Sequence, residues 1–149
     1  MPNRTLTYKR GDIWWVDLNP VLGSETGKER PCLILQNDIR NQNRATTIVA
    51  PFLSGRKAYP FVVNVTPTAK NGLNIERYIN LSQIRTVDFQ RIKNKQGVLE
   101  KCYWPAIEKA LCIELGFSVE KQGTGNREQG TGNREQAIGN REQGTGNRQ

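Results

Sequence analysis

The sequence predicts a mainly β fold: a small, strongly bent antiparallel sheet or barrel, with one helix closing the domain. Three observations carry this. Short runs rich in β-branched and aromatic residues recur between clusters of turn residues. Apolar residues at helical spacing occur once, late in the chain. No strand is followed by a helical crossover, so a parallel βαβ sheet is excluded.

The first strand is Asp12 to Leu18 (DIWWVDL), stopped by Asn19-Pro20. Pro31 to Gln36 (PCLILQ), Thr46 to Leu53 (TTIVAPFL) and Phe61 to Thr66 (FVVNVT) give three more. Pro51 cannot donate to a ladder, which predicts an edge or a bulge in the third run. Tyr78 to Ile84 is a fifth strand and Gly97 to Leu99 a sixth. Trp14 and Trp15 are neighbours on a strand, so one should face a core and the other the opposite surface. From Tyr103 the period changes: Trp104, Ile107, Leu111 and Leu115 fall three and four apart. Pro105 suits a first turn and Gly116 an end, so one helix lies between them.

Composition removes whole classes of chemistry. The chain has 149 residues, 36% hydrophobic and 24% charged, which is the size of one ordinary domain. It has no histidine, so Ser-His-Asp triads, Cys-His sites, histidine acid/base pairs and His-ligated metals are ruled out. Cys32, Cys102 and Cys112 are widely spaced without a C-x-x-C pair, which excludes a zinc ribbon. They read as reduced thiols in or near a core, in a cytoplasmic protein. No metal or other cofactor is expected. No apolar run approaches the ~18 to 20 residues of a membrane span, and the first residues lack the apolar stretch of a signal peptide.

A boundary falls near Lys121. From Gln122 to Gln149 the chain repeats QGTGNRE with small variations. Such a heptad has no apolar seam and is rich in glycine, so it is expected to be a disordered tail. The tail carries four arginines against three glutamates, whereas the whole chain carries 22 basic against 14 acidic groups, net +8. The positive excess therefore belongs to residues 1–121, the folded domain, and favours a polyanionic partner.

The segment richest in donors and charge is Gly23 to Pro31, GSETGKERP, between the first two strands. It is not a phosphate-binding P-loop, because Glu29 stands where Ser or Thr is required and the glycines are one residue too close. By composition alone it is a solvated hairpin connection.

GDIWWVDLNPVLGSETGKERPCLILQND, Gly11 to Asp38, resembles the N-terminal signature of the MazF/PemK family of toxin endoribonucleases. The likeness continues through IVAPF (Ile48 to Phe52) and INLSQIRTVD (Ile79 to Asp88) to the final helix, over roughly residues 8 to 117. It implies an SH3-like barrel with a C-terminal helix, a homodimer, and a small acidic antitoxin as partner. It also implies metal-independent cleavage of single-stranded RNA, in which the 2′-hydroxyl attacks the adjacent phosphate and leaves 2′,3′-cyclic phosphate and 5′-hydroxyl ends. A histidine-free protein can run that reaction, because the RNA supplies the nucleophile.

Matched residue by residue, Arg30 falls on the family's catalytic arginine and Glu25 on the acidic residue of the same loop. A guanidinium clamps phosphate oxygens well, but its pKa above about 12 argues against a role as base. Glu25 is either the acceptor of the 2′-hydroxyl proton or an ion-pair partner that orients Arg30. The family's threonine aligns with Leu53, which has no hydroxyl. Ser54 can replace it only where the chain bulges or has left the strand. Gln83, Arg85 and Thr86 match positions near the RNA groove, although Arg85 has Asp88 within reach as a structural partner. Lys28 and Arg56 are further RNA-binding candidates. Arg40, Arg44, Lys57 and Arg77 read as ordinary solvated charges adding to a general field. Loss of the threonine leaves a second reading open: a toxin-like barrel that binds RNA or antitoxin without cutting.

Overall fold

The computed structural model describes residues 7–118. The heptad repeat and its expected disorder lie outside the described residues.

Among the described residues, seven strands and two α-helices follow in the order β1 (Asp12–Asp17), β2 (Glu29–Ile34), α1 (Asp38–Asn43), β3 (Thr46–Ser54), β4 (Val62–Val65), β5 (Arg77–Asn80), β6 (Arg85–Asp88), β7 (Ile92–Val98) and α2 (Trp104–Leu115). All the strand pairings are antiparallel, in the order β4-β5-β3-β2-β1-β7, with β6 also on β3. This is the barrel-like sheet with a terminal helix that the sequence predicts.

Alternation along β1, β2 and β3 divides their side chains between two cores. Ile13, Leu33, Ala50 and Phe52 face one, closed by β4, β5 and the Ile107 and Ala110 face of α2. Val16, Cys32, Ile34 and Val49 face the other, closed by Val87 and Ile92. Strands covered on both faces need apolar residues at consecutive positions, which is why PCLILQ does not alternate. Each fully buried Leu, Ile or Phe contributes about 1.5–3 kcal/mol. Trp14 joins the second core against Tyr8, ring centroids 4.9 Å apart, and its Nε1 donates to Asp12 Oδ2 at 3.1 Å. Trp15 points to the other face, where its Nε1 donates to Gln96 Oε1.

Several sequence expectations change. Pro51 is on neither an edge nor a bulge. It pairs with Cys32 in a central strand, at the point where the other side of β3 exchanges β6 (last pair Val49 with Arg85) for β5 (first pair Phe52 with Ile79). A missing N–H is tolerated where neither neighbour continues the ladder. The single strand expected over Tyr78–Ile84 is β5 followed by a 3₁₀ turn, Leu81–Gln83, and then β6. The turn is capped by Asn80, whose side chain accepts from Ser82 N at 3.0 Å. β7 begins at Ile92, five residues before the expected strand. Helix α1 is an addition. Asn37 caps it by accepting from Arg40 N at 2.9 Å, but Ile39 is 75% exposed, so no buried stripe announces it.

Helix α2 matches its expected limits. Pro105 lies in its first turn and Gly116, at φ 80°, ends it, with Phe117 N donating back to Cys112 O at 2.8 Å. Leu115, expected on its core face, is exposed, and Ala110 is buried instead. Cys32 is buried and Cys112 half-buried as expected, but Cys102 is exposed. Among the described residues no helix is long and apolar enough to cross a membrane.

Candidate active site

Antiparallel pairing brings four strand ends to one rim. β1 ends there at Asp17, opposite Glu29, and Val16 pairs with Arg30 near the start of β2. β3 ends at Ser54, opposite Arg77 at the start of β5. The long connection from Leu18 to Lys28 crosses this rim, and three side chains from the 83–91 region fasten it. Gln83 Oε1 accepts from Thr26 N at 3.1 Å, Arg85 Nη1 donates to Leu18 O at 2.8 Å, and Arg91 Nη1 donates to Asp17 O at 3.1 Å and also to Asn19 O.

Arg30 is half-buried, and its Nε donates to Gly27 O at 2.9 Å. That bond fixes the guanidinium plane and leaves the two terminal nitrogens for an anion. Gly27 must lack a side chain here, since a Cβ would stand 2.7 Å from Asn19 Oδ1. The next residue, Lys28, is exposed and has φ 69°, the left-handed region, held by Asn19 Oδ1 on its N–H at 3.0 Å and by Leu18 N on its carbonyl at 3.0 Å.

Glu25 forms no ion pair with Arg30. Its Oε1 accepts from Leu22 N at 2.8 Å, closing its own turn on the exposed loop. The orienting role offered to Glu25 is filled by the Gly27 carbonyl. Arg85 likewise does not take Asp88, which caps Gln90 N at 2.8 Å. Thr86, paired with Ile48, points away from the face that Arg85 shares with Val49 and is exposed. Arg56 forms a surface ion pair with Glu76 at 2.8 Å.

The register also decides where Leu53 and Ser54 point. The β2–β3 pairing ends with Cys32 opposite Pro51, and alternation along β3 puts Leu53 on the same face of that strand as Pro51. β3 stays regular through Ser54 opposite Arg77, so no bulge turns the serine to that face. Ser54 is exposed at the end of the strand, beside Arg77. Leu53, the residue before it, is half-buried.

Cations converge on the rim. Burial pushes the Cys32 thiol up to about 12, and the Arg85 and Arg30 charges only partly oppose it. Arg77 is held below the usual arginine value, by burial first and then by the Arg30 charge. Among the described residues the ion pairs are Arg56–Glu76 and Lys95–Asp12, so Arg30, Arg77 and Arg85 have no carboxylate partner. Nor do three or more His, Cys, Asp or Glu side chains gather anywhere among the described residues to hold a metal ion. Arg77, which reads in the sequence as a solvated charge just before the expected fifth strand, instead opens the observed β5 and is half-buried.

Residues 9–115 match the family described as PemK-like, MazF-like toxin of type II toxin-antitoxin system. The chain belongs to that family. It is 40% identical over 111 residues to Endoribonuclease EndoA of Bacillus subtilis, covering 74% of this chain and 96% of that protein. It is 38% identical to Endoribonuclease MazF of Staphylococcus epidermidis, over 74% of this chain and 92% of that protein. The fold matches a solved mycobacterial endoribonuclease in complex with its cognate antitoxin, with a TM-score of 0.64 at 22% identity, over 76% of this chain and all of that one.

Proposed function

We propose that this MazF-like toxin is an endoribonuclease that cuts single-stranded RNA without a metal and is neutralised by a small acidic antitoxin. The observation that carries the reading is Arg30: a guanidinium fixed by Gly27 O at a rim of cations with no carboxylate partner among the described residues. Relatives named as endoribonucleases, at 38–40% identity, support it.

In this reaction the 2′-oxygen attacks the adjacent phosphorus as its proton passes to Glu25. The P–O5′ bond breaks, the leaving 5′-oxygen takes a proton from water, and the products are a 2′,3′-cyclic phosphate and a 5′-hydroxyl. Negative charge gathers on the phosphate oxygens at the transition state, and Arg30 meets it with two donors already in place. Lys28, Arg85 and Gln83 on the loop and its anchors, with Arg56 further out, add contacts to the chain of phosphates and bases. The working unit is a homodimer, and the acidic segment of the antitoxin competes with RNA for the same cations.

Incubation with a long single-stranded RNA in chelator tests this directly. Discrete new 5′-hydroxyl ends that disappear with Arg30→Ala support the reading. Uncut RNA under all conditions overturns it.

Leu53 favours a second reading, a toxin of reduced activity, because it puts a group without a hydrogen-bond donor at the position matched to the family's threonine. A restored hydroxyl in Leu53→Thr then raises the rate by on the order of 10²-fold. Loss of cleavage in Ser54→Ala, with no gain in Leu53→Thr, assigns the proton donor to Ser54 on the Arg77 side instead.

A further inference from the structure

Arg77 reads in the sequence as an ordinary solvated charge, and its surroundings are not those of one. Its Nε is shut off from water and has no acceptor among the described residues. The guanidinium carbon stands 6.0 Å from the Trp15 ring centroid, within range of a cation–π contact. The residue opens β5 opposite Ser54 and Val65, at the rim that holds Arg30. The one neighbouring carboxylate in sequence, Glu76, is engaged by Arg56 at 2.8 Å.

A half-buried guanidinium beside a like charge, with a buried donor unmade, destabilises the empty protein. The burial and the Arg30 charge are both felt, since both lower its pKa. An anion at the rim offsets the charge penalty, because it balances both charges and accepts from the terminal nitrogens of Arg77, which have no partner among the described residues. A phosphate fits this better than a lone carboxylate. Two planar forks at one rim, Arg30 on the Cys32 face of the strands and Arg77 on the Trp15 face, match a polymer with one anion per unit that passes over the rim, and the indole supports the second fork.

We propose that Arg77 is a second phosphate-binding residue of the RNA site, gripping a phosphodiester adjacent to the one held by Arg30, with Trp15 as its support. The proposal rests on the rim being the RNA site. Arg77 acts here in binding and positioning, and the bond-breaking chemistry stays with the loop.

The test measures binding of a 2′-O-methyl RNA oligomer, which cannot be cleaved, to the full chain and to Arg77→Gln and Arg77→Lys across a range of salt. Arg77→Gln is expected to weaken binding about tenfold at moderate salt, and to make the log–log salt dependence shallower by about 0.7, the loss of one phosphate contact on a single strand. Arg77→Lys keeps the slope. The melting temperature of Arg77→Gln stays level or rises, because an unsatisfied buried donor is gone.

A purely structural arginine gives the reverse pattern: a lower melting temperature with unchanged affinity and slope, which overturns the proposal and leaves the RNA reading standing. Unchanged RNA binding with weakened binding of poly-glutamate assigns the guanidinium to an acidic protein and also overturns it. A wild-type chain that fails to bind the oligomer at any salt refutes the RNA reading itself, and this proposal with it.

Discussion

Two polar clusters in this molecule are built on opposite rules. At the corner where the connection between β4 and β5 meets the end of β7, Asn71 is fully buried and its side chain is fully used. Its Oδ1 accepts from Thr68 N and Leu73 N, each at 3.0 Å, and its Nδ2 donates to Thr66 O at 3.0 Å and Glu100 Oε1 at 3.2 Å. Thr68 also donates to Glu100. At the rim, Arg30 has terminal nitrogens to spare and Arg77 has a buried Nε with no partner among the described residues. A satisfied cluster holds the chain together, and an unsatisfied one is shaped for something that arrives from outside.

Substitution at the corner should therefore cost stability and spare function. Asn71→Ala strands the Thr68 and Leu73 amides and is expected to lower unfolding free energy by about 3 kcal/mol in urea, with cleavage per folded molecule unchanged. A fall in activity of the folded fraction would blur the contrast.

Beneath the rim, Cys32 links the charged surface to the core. Its folded pKa, raised to about 12 from an ordinary 9.0, makes stability fully present below about pH 9, where the thiol is neutral folded or unfolded. Between 9 and 12 only the unfolded chain ionises, so stability falls, by up to about 1.4 kcal/mol per pH unit. Cys32→Val lacks this contribution. The stability difference between wild type and variant, followed by urea unfolding across that range, should therefore slope with pH and be flat below it.

The smallest effect belongs to Lys28. Its φ of 69° suits glycine, so Lys28→Gly should stabilise the loop by up to about 1 kcal/mol, read as a rise in melting temperature, while thinning the positive field and weakening RNA binding slightly. Stability rising as binding falls is the signature of a site shaped for function.

Much of this fold is legible in the sequence, for physical reasons. The runs PCLILQ and TTIVAPFL are apolar because both faces of β2 and β3 are covered. Proline and glycine bracket α2 because its ends need them. The departures occur where local pattern and environment disagree. α1 buries no apolar face, β6 hides behind an Asn80-capped turn, and Pro51 sits in a central strand because the partner strands change there. Within the site, Arg30 and its loop stand out through the motif they carry. Arg77 does not, because its isolation depends on Trp15 and Arg30, which are distant in sequence and adjacent only after folding.

The rim's purpose is tested most directly by the single-turnover cleavage rate of Arg30→Ala against wild type, at saturating protein and in chelator. The account predicts a loss of about 10²- to 10³-fold with an unchanged melting temperature, since the guanidinium serves the transition state and makes only one bond to the protein. Equal rates in a folded variant would contradict it.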